Sequence, residues 1–195
     1  DYGGIVFESS DENTITGGEV GNNNQYGWRG GIYLSESTGN TISGVYLHNN
    51  RYSAIYLNDG SDNTTIENNN LDENCGGEAG IYISSSDNAV IDGNQITNGT
   101  GYGIEAYNSN GIQITDNHIN YNTYSGICIS EEGEGEAESP NYLIEGNEII
   151  GNGIGDERER DGISLYYLDD VLIEGNEIIG NVGDGIRLYY LDDVS

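Results

Sequence analysis

Residues 162–172 read GISLYYLDDVL, and residues 185–194 repeat the phrase as GIRLYYLDDV, 23 residues further on. Working upstream, the same opening returns as Gly126-Ile127-Cys128-Ile129, Gly103-Ile104, Gly80-Ile81-Tyr82-Ile83, Ala54-Ile55-Tyr56-Leu57, Gly31-Ile32-Tyr33-Leu34 and Gly4-Ile5-Val6-Phe7. Successive openings lie 27, 23, 26, 23, 23, 36 and 23 residues apart, so about seven and a half units fit the chain. Self-similarity at such a period marks a solenoid, in which each unit buries its apolar side only against its neighbours.

Each unit holds three short strand-like pieces. The first alternates apolar-x-apolar, as in Ile32/Leu34 and Ile163/Leu165, the period-2 pattern of a half-buried strand. The second centres on one isoleucine: Ile15, Ile42, Ile66, Ile91, Ile114, Ile144, Ile173. The third follows five residues later in every unit, at Val20, Leu47, Leu71, Ile96, Ile119, Ile149 and Ile178. No window has the 3.6-residue period of an amphipathic helix. Asparagine forms columns as well. Asn69, Asn94, Asn117, Asn147 and Asn176 share one position; Asn23, Asn50, Asn74, Asn122, Asn152 and Asn181 share another. Asn tolerates left-handed backbone geometry at corners, and identical amides stacked at the ~4.8 Å strand repeat bond one another as a ladder. The expected fold is all-β: a right-handed parallel β-helix with three short strands per coil and Asn ladders at its corners.

The unit G-I-x-L…N-x-x-I-x-G-N-x-I-x-x-N resembles the repeat of the pectate-lyase-like superfamily, especially its carbohydrate-binding and sugar-hydrolase (NosD-like) β-helices of bacterial and archaeal surfaces. That resemblance covers essentially the whole chain and implies an extracellular or cell-surface location. It specifies fold far better than activity, because lyases, hydrolases, epimerases and inert surface proteins share the architecture. NosD-like relatives are often labelled copper-binding, but two Cys and two His with no Met leave little for a soft-metal site here.

Composition narrows the partners. The 195 residues carry 34 acidic side chains against five basic ones, all Arg, for a formal charge of -29. That balance argues against a nucleic-acid partner, which needs cations to displace phosphate counterions, and against docking on an anionic membrane surface. No apolar run approaches the length of a membrane span. Stacked acids, Glu145 on Glu174, Glu148 on Glu177, Asp169 on Asp192 and Asp170 on Asp193, repel unless screened or bridged. Asp169, Asp170, Asp192 and Asp193 are therefore candidate Ca²⁺ ligands, although no EF-hand or nonapeptide calcium loop occurs. A high-salt habitat accounts for the same composition through screening.

Outward positions carry the remaining chemistry. The middle residue of the first strand runs Val6, Tyr33, Tyr56, Tyr82, Glu105, Cys128, Ser164, Arg187, with Tyr107, Tyr166 and Tyr189 close by. Two readings of Tyr33, Tyr56, Tyr82, Glu105, Tyr107, Tyr166 and Tyr189 stand side by side: stacked rings that stabilise the sheet, or an aromatic platform for polysaccharide. His48 and His118 fall in different columns and cannot pair. Lys is missing, and no two carboxylates are singled out as an acid–base pair, so the expectation leans to a non-catalytic structural or adhesive module. The alternative is a polysaccharide-active lyase, hydrolase or epimerase. Insertions at 23–30, 130–141 and 153–161 map to loops, and a solenoid is exposed at its ends, so head-to-tail self-association, or membership of a larger surface protein, is expected. Cys75 and Cys128, three coils apart, are expected not to form an intrachain disulfide.

Overall fold

Isoleucine, valine and threonine crowd the short pieces of every unit, and β-branched side chains are stiff residues that pack well on a pleated surface. A computed structural model describes residues 3–23, 29–74, 78–132, 141–155 and 160–194, the last including 192 and 193 by backbone only. Among the described residues, twenty-three strands form three parallel sheets of eight, eight and seven strands. The first sheet begins with Ile5–Glu8 and runs to Ile186–Tyr189, the second from Thr14–Thr16 to Asp192–Val194, and the third from Glu19–Gly21 to Glu177–Ile179. Each strand pairs with its counterpart one coil away, which makes the molecule a right-handed parallel β-helix.

Register follows the repeat without a slip. Ile5, Ile32, Ile55, Ile81, Ile104, Ile127, Ile163 and Ile186 are successive partners despite spacings of 23 to 36 residues. Ile15 through Ile173 and Val20 through Ile178 form the other two columns. In the middle coils these side chains are fully buried in one continuous core. At the last coil the inward Ile186 and Leu188 are 42% and 47% exposed. The glycine that opens most units sits where neighbouring coils approach closely. A Cβ on Gly126 would lie 2.6 Å from the Ile149 methyl and 2.8 Å from the Gly162 carbonyl.

Corners are set by left-handed residues. Gly17, Gly44, Asn68, Gly93, Asp116, Gly146 and Gly175 hold one corner with φ between 53° and 66°, where Gly pays no Cβ penalty and Asn or Asp pays least. The asparagine ladders close as the columns predict. Asn69 donates to Asn94, Asn94 to Asn117 and Asn117 to Asn147, each at 3.0 Å, and Asn147 to Asn176 at 2.9 Å. The second ladder runs Asn23–Asn50–Asn74 and Asn122–Asn152–Asn181, with Gly99 at the intervening position. In every bond the amide of one coil donates to the oxygen of the next. A serine ladder accompanies them: the backbone N–H groups of Ser10, Ser37, Ser61 and Ser86 donate to the hydroxyls of Ser37, Ser61, Ser86 and Ser109. Glu131 ends it by accepting from Ser109 N–H at 3.0 Å.

The insertions lie mostly beyond description. Residues 24–28, 133–140 and 156–159 fall outside the described residues, as does Cys75. The third insertion begins by docking on the preceding turn, Gly153 N–H donating to the carbonyls of Asn122 and Tyr124 at 3.0 and 2.9 Å.

Candidate functional site: the tyrosine face of the first sheet

Alternation along the first-sheet strands turns two residues per coil outward. The nearer outward column stacks Tyr33, Tyr56, Tyr82, Glu105, Cys128, Ser164 and Arg187 in register. Tyr33 and Tyr56 meet edge-to-face with centroids 5.2 Å apart, and Tyr56 and Tyr82 are tilted at 4.9 Å. Arg29 closes one end, its guanidinium 4.7 Å above the Tyr33 ring and 2.6 Å from the Glu8 carboxylate. Tyr33 is thereby only 9% exposed, while Tyr56 and Tyr82 stay half-buried. The sequence pattern left both ring stacking and a polysaccharide platform open for Tyr33; in the structure the Arg29 guanidinium covers its ring.

A wall runs beside this column. Ala79, Tyr102 and Cys128 are buried in a small cluster separate from the main core, with Tyr82, Tyr124 and Tyr166 packed against it. Tyr102 and Tyr124 meet at 5.2 Å. Neither was among the expected site residues. The signal was present in the residue two before each strand's first isoleucine, a column of Ser53, Ala79, Tyr102, Ser125, Asp161 and Asp184. Glu105 stands half-buried between Tyr82 and Cys128.

The field over this face has one sign. The Tyr82 hydroxyl is pushed up to about 12 by burial, then by Glu105 and Glu78. Tyr56 is pushed up further by burial, by the phenols on either side and by Asp59. Tyr107, in the farther outward column, is raised chiefly by its hydrogen bond to Glu132. That farther column continues through Ser130 to Tyr166 and Tyr189, whose rings are 6.0 Å apart. Next to them Tyr167 and Tyr190 stack at 5.2 Å from left-handed backbone, φ 58° and 53°. The seven expected residues therefore occupy two neighbouring columns of one face.

At the far end lies a fully buried carboxylate, Asp161. It meets Arg187 Nε at 3.2 Å and accepts from Ser164 Oγ at 2.9 Å and from Asp184 N–H at 2.7 Å, while its own N–H donates to Ser125 Oγ at 3.0 Å. These contacts tie Asp161, at the end of the third insertion, to the sheet.

Expected metal ligands are placed by backbone alone. Asp169 pairs in register with Asp192 and Val171 with Val194, which sets Asp170 beside Asp193; the side chains of Asp192 and Asp193 lie outside the described residues. Glu145 is in register with Glu174 and Glu148 with Glu177. Among the described residues no three His, Cys, Asp or Glu side chains converge to hold a metal ion. His48 sits 2.8 Å from Glu19, and His118 lies on the same sheet with two strands between them.

Comparison with known proteins adds the following. The family model described as periplasmic copper-binding protein (NosD) matches residues 1–152. Among curated proteins no match was found. Among solved structures, a point mutant of the periplasmic alginate epimerase AlgG is similar over 97% of this chain and 43% of its own, at 17% identity and a TM-score of 0.57. The A-module of the Azotobacter vinelandii mannuronan C-5 epimerase AlgE4 is similar over 99% of this chain and 58% of its own, at 16% identity and a TM-score of 0.51. The chain thus spans about half the length of these structures, and at such identity the likeness is one of fold.

Proposed function

The chain belongs to the family described as periplasmic copper-binding protein (NosD), and on that premise we propose that it is a rigid, non-catalytic module on the outer side of the cytoplasmic membrane that contacts polysaccharide along its tyrosine face. The supporting observation is the spacing of the rings. One tyrosine per coil, with Tyr56 and Tyr82 at 4.9 Å, advances along the axis by about the length of one hexose in an extended chain. Tyr offers a flat apolar face and a hydroxyl together, which suits a sugar ring. The family description and the AlgG description both say periplasmic, which supports placement outside the cytoplasm.

The donor set does not match the copper of the family description. Among the described residues Cys128 is buried within an aromatic cluster and the two histidines are separated on the third sheet; Cys75 lies outside them, and the sequence has no Met. Soft Cu(I) sites are built from converging thiolates and thioethers.

Assembly belongs to the same proposal. Self-association of copies along the coil axis, or membership of a larger surface protein, is proposed with it, since unpaired strand edges template pairing. A second reading, a polysaccharide-active enzyme, is favoured by Glu105 standing beside Tyr82, since a carboxylate and a phenol in neighbouring coils are groups that can exchange protons with one substrate. One experiment separates the two. Incubation with a polysaccharide panel, with and without Ca²⁺, should release neither reducing ends nor unsaturated products and should leave the uronate epimer ratio unchanged, while pull-down on insoluble glycans should retain the protein. Turnover of any member would replace the binding reading with the enzymatic one.

A further inference from the structure

Polysaccharides differ most sharply in charge, and the tyrosine face is built for one sign of it. Around Tyr56, Tyr82 and Tyr107 stand the carboxylates of Asp59, Glu78, Glu105 and Glu132, with Glu105 in register beside Tyr82. The cations at the two ends of the column, Arg29 over Tyr33 and Arg187 within the column, are each paired with carboxylates. Arg29 is held by Glu8 at 2.6 Å, and Arg187 by Asp161 at 3.2 Å and Asp184 at 3.1 Å. Arg51 brings a single positive charge at the turn before the Tyr56 strand. Behind this local field lies a chain with 34 acidic residues against five basic ones.

Two chemistries coincide in this strip. Stacked phenol rings accept the C–H face of a hexose and attract an ammonium group over the ring. Carboxylates near half-buried rings act through a lower dielectric than water, so their attraction for a cation and repulsion of an anion both exceed what an exposed charge exerts. A uronate chain would bring one carboxylate per sugar against this field. An amino-sugar chain would bring one ammonium per sugar to it.

Resting on the carbohydrate reading above, we propose that the tyrosine face selects glycans by charge, taking amino-bearing chains first, neutral chains second and polyuronates not at all. The fold shared with alginate epimerases thus carries a face of opposite preference, since mannuronan is a polyuronate.

The test compares three hexasaccharides by calorimetry at low and moderate salt: a β-1,4-glucosamine oligomer with free amines, its N-acetylated counterpart and oligomannuronate. The amine-bearing oligomer should bind at least tenfold more tightly than the acetylated one, with the preference shrinking as salt rises. Oligomannuronate should give no heat, with or without Ca²⁺. E105Q should cut the amine-over-acetyl preference several-fold with circular dichroism unchanged, and Y107A, on the more exposed column, should weaken both ligands. Acetylated binding without an amine preference would overturn the charge assignment and leave the carbohydrate reading standing. Binding of the amine oligomer that ignores both E105Q and Y107A would reveal mere condensation of a polycation on an acidic protein, and overturn it. Oligomannuronate binding would also overturn it. Silence from all three oligomers would remove the carbohydrate reading together with the selectivity.

Discussion

Glu131 shows what a single position does when a ladder runs out. Four coils satisfy one turn with a serine hydroxyl; the next uses this carboxylate, which accepts from Ser109 N–H at 3.0 Å and from the Tyr142 hydroxyl at 2.7 Å. Burial raises its carboxyl above the ordinary 4.5, with Asp87 adding to the effect and the two hydrogen bonds pulling it back. A carboxyl whose folded value is raised is favoured protonated in the fold. Stability from this group is therefore complete at low pH and is lost as pH rises from about 4.5 through the raised value. E131Q keeps an acceptor for both donors and removes the desolvated charge. Its melting temperature should equal or exceed that of the parent at pH 7, with the advantage vanishing below about pH 4. A parallel pH–melting series on the two proteins checks this; a variant that melts well below the parent at pH 7 would show that the ionised form is the stabilising one.

Strands here are three to six residues long, too short to be stable singly, so their stability resides in the columns that join them. Asn117 is the centre of one such column. Its amide donates to the carbonyls of Ile91 and Thr115, each at 2.8 Å, and to Asn147; its oxygen accepts from the backbone and side-chain N–H of Asn94. N117A would strand at least two buried backbone groups at about 1–3 kcal/mol each, whereas I114D places an unpaired charge in the core at several kcal/mol. Urea unfolding should show a loss of about 3 kcal/mol or more for the first, and limited proteolysis should show opened neighbouring coils for the second. These columns were legible in the sequence because an inward position recurs at a fixed offset whatever the loop length, as Ile127 and Ile163 do across 36 residues. The serine ladder escaped notice because Ser at a turn is ordinary turn chemistry and only its repetition is informative. Tyr102 and Tyr124 escaped because they precede the apolar-x-apolar phrase. The enclosure of Tyr33 was illegible because Arg29 arrives from a turn of irregular length.

Across the whole molecule like charges repel along the stack of coils. Glu145 and Glu174, and Glu148 and Glu177, face each other in register along two sheets of a chain with a formal charge of -29. Screening at about 1 M salt shortens the Debye length to roughly 3 Å, below the strand spacing. The melting temperature should therefore climb steadily between about 0.05 M and 1 M NaCl, followed by differential scanning calorimetry. Calcium at matched ionic strength should give the same curve if screening alone acts; a further rise would mark bridging at Asp169 and Asp192.

The asparagine ladders have a direction, and that direction governs symmetry. Along each ladder an amide hydrogen goes to the asparagine oxygen of the coil that follows, and the oxygen accepts from the coil that precedes, from Asn69 to Asn176 and from Asn122 to Asn181. The molecule is an arrow. Two arrows brought together by a two-fold axis would set hydrogens against hydrogens at one end, or oxygens against oxygens at the other. Translation along the axis, with whatever rotation the coils impose, is the operation that carries every ladder onward. An interface generated that way is heterologous, and unless its rotation closes a ring it stays open at both ends. An assembly of these chains along that axis would have a polarity and a length but no fixed number of subunits.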